Sequence, residues 1–147
     1  MIKNRPMFYL SLICLGVAIF CLVAIANAED LTNVQWLDCH DGDTCEFNVL
    51  LPAVFGTDIG VRLSGIDTPE INGKCAQEKL LAAQARDFLR SQIKGTRVVL
   101  LNVFRDKYFR IEAVVMANDV NLNQLMVQKG YAVLYNGTGA RHDWCAP

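Results

Sequence analysis

Residues 34–51 have the sequence VQWLDCHDGDTCEFNVLL. Val34–Cys39 is a short apolar run, and the Asp41-Gly42 pair that follows it is typical of tight hairpin turns. Thr44–Leu51 then alternates apolar with polar residues and is rich in strand formers. This stretch therefore predicts two antiparallel strands joined by a tight turn.

The rest of the chain predicts two helices and three further strands. Apolar residues recur at helical spacing over Cys75–Ile93, which predicts a helix that ends at Gly95. A short helix is predicted over Leu122–Lys129, with Asn121 as its cap. The other strands are predicted at Val61–Ile66, Arg97–Phe104 and Arg110–Met116, with a loop at Pro52–Gly60 and a last apolar run at Tyr131–Tyr135.

This order of elements predicts a mainly β, α+β fold. Three strands, a helix and two strands match a five-stranded OB-fold barrel with Greek-key connections. The long helix lies between strands 3 and 4 of that barrel, and the short helix follows strand 5. The open face of an OB-fold commonly binds nucleic acids or sugars.

The first 28 residues have the pattern of a secretory leader. Lys3 and Arg5 precede an apolar stretch at Met7–Ala26, and Ala26-Asn27-Ala28 is a small-x-small cleavage signal. We therefore expect one domain, residues 29–147, in a secreted or periplasmic protein. The apolar stretch is almost long enough to span a bilayer, so an uncleaved, outward-facing membrane anchor is the alternative.

Charge is distributed unevenly along a chain whose net charge is −1. Residues 74–110 contain nine Lys or Arg and three acidic residues, whereas residues 29–73 contain nine acidic residues and a single basic one, Arg62. Nucleic-acid-binding proteins are usually basic, so the net charge does not favour that class. The basic middle segment, residues 74–110, does favour nucleic-acid binding.

Four cysteines follow the predicted leader. An even number of cysteines in an oxidising compartment predicts disulfides, for which three connectivities exist. We favour Cys39 with Cys45, across the tight turn, and Cys75 with Cys145, which ties the C-terminal segment to a loop. A zinc site built from all four is the alternative, but no C-x-x-C spacing supports it.

Three segments carry carboxylates and paired arginines: Asp41–Thr44, Arg62 with Asp67–Glu70, and Asp106–Arg110. Carboxylate oxygens suit Ca²⁺ or Mg²⁺, and a guanidinium matches the paired oxygens of a phosphate. Each segment alone is also typical of a turn or of a solvated charged hairpin. Their combination predicts a metal-dependent phosphodiesterase.

In this order, the motifs Asp-Gly-Asp-Thr, Arg with Asp-Thr-Pro-Glu five residues later, and Asp-Lys-Tyr-x-Arg resemble the staphylococcal (micrococcal) nuclease, or thermonuclease, family. The resemblance extends over residues 33–135. It implies an OB-fold endonuclease that depends on Ca²⁺, cleaves DNA and RNA, and leaves 3′-phosphate and 5′-hydroxyl ends. The expected protein is a monomer with no stable protein partner.

The resemblance also implies a role for each matched residue. Asp43 and Asp67 match the carboxylates that bind Ca²⁺, and Thr68 matches the residue whose backbone carbonyl binds it. Glu70 matches the carboxylate that orients or deprotonates the attacking water. The other matched residues are the phosphate-binding Arg62 and Arg110 and the substrate-contacting Lys107 and Tyr108.

Several residues depart from the family pattern or receive no role. Phe109 stands where the family often has Gly, which puts the orientation of Arg110 in question. The apolar segment Leu50–Phe55 lengthens the hairpin, and we expect it to cap the barrel or border the substrate groove. His40 and His142 receive no role, since a Ca²⁺ site prefers oxygen ligands.

Two alternatives from another class are non-catalytic OB-fold modules. One binds single-stranded nucleic acid through the basic middle segment, and the other binds oligosaccharide. The second leaves the paired arginines without a role. The presence of the complete set of carboxylates and arginines favours the nuclease over both.

Overall fold

The computed structural model describes residues 29–50, 56–106 and 110–146. These residues form a mixed β-structure with two helices. The strands are β1 (Glu29–Leu31), β2 (Val34–Cys39), β3 (Thr44–Val49), β4 (Gly56–Leu63), β5 (Ile66–Asp67), β6 (Val98–Arg105), β7 (Ile111–Ala117), β8 (Val120–Asn121) and β9 (Val133–Leu134). The helices are α1 (Ala76–Ile93) and α2 (Leu122–Gln128).

The main sheet has the strand order β1-β6-β7-β4-β3-β2, and β8 pairs with β7. β5 and β9 form a separate antiparallel pair. β4 and β7 are parallel, with Arg62 opposite Glu112, whereas the other pairings of the main sheet are antiparallel. This parallel contact brings Arg62 close to the start of β7, which directly follows Arg110.

The mainly β architecture with two helices is confirmed, but a closed five-stranded barrel is not. Among the described residues, the strand path begins at β1 and ends at β2 without returning to β1. β1, which the sequence did not predict, pairs with β6, where Leu31 lies opposite Leu100. The predicted strand Val61–Ile66 is divided between β4 and β5, because the chain turns at Gly65 with a φ of 77°.

The predicted loop at Pro52–Gly60 is wrong for its second half. Residues 56–60 belong to β4, because their backbone pairs with β3: Phe47 lies opposite Ile59, and Val49 opposite Gly56. Asp58 has a φ of 54°, and its N–H donates to Asn48 Oδ1. The apolar segment Leu50–Phe55 is expected to cap the barrel or border the substrate groove. Its residues 51–55 lie outside the described residues.

Helix α1 closes one side of the core. Its buried apolar residues recur every three or four positions: Ala82, Ala85, Leu89 and Ile93. Ala85, Leu89 and Ile93 belong to the same core cluster as Phe47 of β3, and Ala82 is fully buried. The helical spacing of the sequence therefore predicted the element and the burial of Ala85, Leu89 and Ile93, whereas Leu80, which belongs to the same apolar pattern, is exposed.

Both favoured disulfides are present. Cys39 and Cys45 are bonded across the hairpin, where they lie opposite each other in the β2–β3 register. Cys75 caps the N-terminus of α1 and is bonded to Cys145. The second bond holds the segment after β9 beside the start of α1. Among the described residues, neither helix is long and apolar enough to cross a membrane.

Candidate nuclease site

Asp43 and Asp67 place two carboxylates in the protein interior. Asp43 is 2% exposed and directly precedes β3, and Asp67 is fully buried at the end of β5. Asp43 is held through its backbone, because its carbonyl accepts from the Leu63 N–H at 2.7 Å. Thr68, which follows Asp67, is also buried.

The turn before Asp43 packs against α1 without a side chain between them. A Cβ atom at Gly42 would lie only 2.7 Å from the Ala85 Cβ and 3.1 Å from the Thr68 Cβ. Glycine at this position therefore allows the hairpin turn to contact both α1 and the segment after β5. This contact helps to keep Asp43, the next residue, buried.

Arg62 contacts both buried carboxylates from β4. Its Nη1 donates to Asp43 Oδ1 at 2.7 Å, and its Nη2 lies 3.8 Å from Asp67 Oδ1. Nη2 also donates to the Ile66 carbonyl at 3.2 Å. The guanidinium therefore partly compensates two negative charges in a region where an unpaired charge would be very costly.

Each of these carboxylates makes its described hydrogen bonds and ion pairs through Oδ1. Oδ2 of Asp43 and Oδ2 of Asp67 are buried and have no hydrogen-bond partner among the described residues. Burial raises the pKa of Asp43 to about 7, against the opposing effect of Arg62. Unpartnered buried carboxylate oxygens are unusual, and hard oxygen donors of this kind are those that Ca²⁺ and Mg²⁺ prefer. The donor set therefore fits a divalent cation.

Arg141 is a second arginine at Asp67 and also contacts Glu70, and sequence reasoning missed it. Its Nε donates to Asp67 Oδ1 at 2.7 Å, its Nη1 to Glu70 Oε1 at 2.5 Å, and its Nη2 to the Thr68 carbonyl at 3.2 Å. Burial alone would lower the pKa of Arg141, but these hydrogen bonds to Asp67 and Glu70 raise it above its usual value.

No motif surrounds Arg141 in the sequence, so its role could not be recognised from spacing. The available signal was the favoured Cys75–Cys145 disulfide, which binds the segment that carries Arg141 to the start of α1. The Tyr135 N–H also donates to the Gly65 carbonyl, and the Tyr135 hydroxyl to the Gly139 carbonyl. These contacts hold the segment next to the β4–β5 turn.

Glu78 is a further residue that the sequence analysis did not identify. It is 8% exposed, and its carboxylate accepts from the backbone N–H groups of Glu70 and Lys74, at 3.4 and 2.7 Å. A Cβ at Gly73 would overlap the end of the Glu78 side chain, so a larger residue there would displace this carboxylate. Glu78 thus supports the loop that presents Glu70, whose side chain is 41% exposed.

Arg110 directly precedes β7 and is bound to Asp106. Its Nε donates to Asp106 Oδ2 at 2.8 Å, and its backbone N–H donates to Asp106 Oδ1 at 2.9 Å. The Arg110 side chain is 53% exposed. The three residues between them, Lys107, Tyr108 and Phe109, lie outside the described residues, so the predictions about them stay predictions.

A cleft of about 890 Å³ joins these parts. Arg62, Glu70, Arg110 and Arg141 all line it, together with the Asn136–Gly139 segment. Asp43 and Asp67 lie beside it, each bound to one of the lining arginines. The predicted residues that the structure describes are therefore brought to one place, whereas His40 pairs with Glu46 on the surface.

Comparisons with known proteins give a family and several relatives. The model of the family described as staphylococcal nuclease homologue matches residues 60–144. An uncharacterized protein of Bacillus anthracis is 34% identical over 101 residues, which are 67% of this chain and 45% of that protein.

Two fungal relatives are named as probable endonucleases. A probable endonuclease of Schizosaccharomyces pombe is 34% identical over 54% of this chain and 38% of its own length. A probable endonuclease of Pyricularia oryzae is 32% identical over 57% of this chain and 34% of its own length. The chain thus spans less than half the length of each of these three relatives. Because the family match extends over more than half of the chain, the protein belongs to the staphylococcal nuclease homologue family.

Proposed function

We propose that this protein is a Ca²⁺-dependent endonuclease that hydrolyses phosphodiester bonds of DNA and RNA. The observation that carries the proposal is the buried pair Asp43 and Asp67, beside a cleft that Arg62, Glu70 and Arg110 line. Each of the two carboxylates has an oxygen without a hydrogen-bond partner in the part of the chain that the structure describes. Family membership and the names of two relatives support the reaction class.

Asp43, Asp67 and the Thr68 carbonyl would hold the cation. When bound, the cation would stabilise negative charge on the phosphate that undergoes hydrolysis. Two carboxylates and one carbonyl are few ligands for Ca²⁺, which takes six to eight oxygens. Water and substrate phosphate must complete such a shell, so we expect weak binding, with a Kd of roughly 10⁻⁴–10⁻³ M, as in extracellular Ca²⁺ sites.

Glu70 is the proposed general base. Its side chain is partly exposed in the cleft, and Glu78 fixes its backbone. Glu70 takes a proton from the attacking water while the water oxygen bonds to phosphorus. The bond between phosphorus and the 5′ oxygen breaks, and the 5′ oxygen takes a proton from solvent. The products are a 3′-phosphate and a 5′-hydroxyl.

Arg62 and Arg110 are the proposed phosphate-binding groups. Charge grows on the equatorial oxygens of the five-coordinate transition state, and a guanidinium donates to two such oxygens at once. Arg62 is anchored by Asp43, and Arg110 by Asp106. Because each arginine is already oriented by a carboxylate, little side-chain freedom is lost when phosphate binds.

An oxidising location is part of the proposal. Two disulfides among the described residues and the leader-like sequence at residues 1–28 support a secreted or periplasmic protein, or one anchored by an uncleaved leader and facing outward.

The test incubates the protein, purified after expression of the full chain, with plasmid DNA and with RNA, in Ca²⁺ and in chelator. We expect Ca²⁺-dependent degradation, with 5′ ends that polynucleotide kinase labels without prior phosphatase treatment. Asp43→Asn should abolish the activity, and Glu46→Gln, which alters a surface carboxylate paired with His40, should not. Binding of single-stranded nucleic acid without cleavage would instead support the non-catalytic module.

A further inference from the structure

Arg141 contacts the same groups that the proposed cation needs. It donates to Asp67 Oδ1, and it also donates to the Thr68 carbonyl, so it engages two of the three proposed ligand residues. Its contact with Glu70 adds the proposed base. One guanidinium is thus shared among three members of the site.

The positive charges around Asp67 oppose the binding of a further cation. Asp67 is fully buried, and both Arg62 and Arg141 lie within 4.0 Å of its Oδ1. A divalent cation on Asp67 would stand next to a guanidinium at the same carboxylate. Like charges at such distances repel, and the repulsion is poorly screened in a buried site.

The two arginines differ in how firmly they are held. Arg62 lies on β4, in the middle of the sheet, and its side chain is 15% exposed. Arg141 lies in the segment after β9, outside any helix or strand, and its side chain is 43% exposed. Arg141 is therefore the arginine that can leave without a change in the sheet.

We propose that Arg141 is a built-in counter-ion of Asp67 and Glu70 that competes with the divalent cation and so sets the cation affinity of the site. The inference rests on the proposed metal site. In the cation-free protein the guanidinium neutralises the carboxylates, and cation binding displaces it from Asp67 and the Thr68 carbonyl. By linkage, the Arg141 contact lowers cation affinity by the same factor by which a bound cation weakens the Arg141 contact, so a weaker contact means tighter cation binding.

Isothermal titration calorimetry with CaCl₂ tests the competition on the oxidised protein purified after expression of the full chain. Arg141→Gln should bind Ca²⁺ at least about 5-fold more tightly than wild type, within the range of about 5–150-fold that is typical of coupling between sites. Arg141→Lys keeps the charge but cannot make all three contacts, so its affinity should lie between those of wild type and Arg141→Gln. The control Arg86→Gln removes a pair with the adjacent Asp87 on α1 and should change nothing.

A merely structural role for Arg141 would give the opposite sign, since loosening a preformed site lowers its affinity. Equal or weaker Ca²⁺ binding by Arg141→Gln would overturn the inference and leave the metal site standing. No binding by wild type or by any variant would overturn the metal site and the inference together.

A second measurement needs no variant. In ¹⁵N-resolved spectra of the arginine Nε–H groups, saturating Ca²⁺ should shift the Arg141 signal, because its Nε–H loses Asp67 as acceptor. The Arg86 Nε–H, which donates to Asp87, should stay in place. An Arg141 signal that does not move while Ca²⁺ binds would overturn the displacement.

Discussion

At the scale of single residues, Glu70 offers the most direct test of the chemistry. Glu70→Gln keeps the shape and the acceptor oxygen that Arg141 contacts but removes the basic carboxylate. We expect the single-turnover rate of cleavage of a labelled oligonucleotide to fall by ~10²–10⁴-fold, the usual contribution of a general base. Ca²⁺ binding measured by calorimetry should persist. Cleavage at nearly the wild-type rate would remove Glu70 from the mechanism.

Arg110 and Lys107 should differ in the kinetic parameter that they affect. Arg110→Ala removes a proposed transition-state contact and should lower kcat by ~10²–10³-fold, the cost of losing one such donor. Lys107→Ala removes a charge that contacts substrate and should mainly raise KM, with a weaker dependence of binding on salt. The check is steady-state kinetics at two salt concentrations. The same effect on KM from both variants would contradict the distinction.

The residues of the site differ in how far sequence could identify them. Asp43, Arg62, Asp67 and Glu70 belong to short motifs that resemble the family pattern, so the sequence alone predicted them as site residues. Arg141 could not be found in this way, because it reaches Asp67 from 74 residues away through a disulfide-tethered segment. Its contact is a product of tertiary structure alone.

At the scale of elements, the contact between the first hairpin and α1 predicts a strong effect at Gly42. Gly42→Ala places a methyl group 2.7 Å from the Ala85 Cβ, which sits on a helix and cannot rotate away. We expect a loss of about 1–3 kcal/mol in the free energy of unfolding, as for other overpacked sites. Urea unfolding in chelator measures it.

Gly60→Ala is the matched control for this prediction. Gly60 lies in β4, and a Cβ there meets no atom of the described residues within 4 Å. Its effect should be small. Ala85→Gly alone carries the cost of glycine in a helix, about 1 kcal/mol, so a double-mutant cycle is needed. Gly42→Ala should cost less in the Ala85→Gly background than in wild type, since that background lacks the opposing methyl group. An equal cost in both backgrounds would show that the clash lies elsewhere, with the Thr68 side chain as the other neighbour.

Elements were predictable where local pattern and tertiary pairing agree. α1 and the β2–β3 hairpin have clear periodicity, and the structure places them within two residues of the predicted bounds. β1 was missed because three residues carry no periodic signal, and its pairing with β6 decides its structure. Residues 56–60 were misassigned because two glycines there resemble a loop, whereas pairing with β3 makes them a strand.

At the scale of the whole molecule, the acidic and basic halves of the sequence come together at the cleft. The N-terminal half supplies Asp43, Asp67 and Glu70, and the middle segment supplies Arg110. The C-terminal segment adds Arg141, which is bound to α1 through the Cys75–Cys145 disulfide. The disulfide therefore affects both the stability of the whole fold and the position of Arg141 at the carboxylates of the site.

Removing this disulfide should lower stability and release Arg141 in one step. The bond closes a loop with a sequence separation of 70, against 6 for Cys39–Cys45. In the chain-entropy description, Cys75→Ser with Cys145→Ser should cost about 4 kcal/mol of unfolding free energy, roughly 2 kcal/mol more than removing the short-loop bond. Urea unfolding in chelator measures both losses.

The same pair of substitutions separates two accounts of the C-terminal segment. If the Cys75–Cys145 disulfide keeps Arg141 on Asp67, the folded double variant should bind Ca²⁺ more tightly than wild type. Adding Arg141→Gln to this variant should then change the affinity little, because the two changes act on one contact. If the disulfide serves stability alone, Arg141→Gln should have its full effect in both backgrounds. Calorimetric titrations of the four proteins, at a temperature where each is folded, distinguish the coupled result from the additive one.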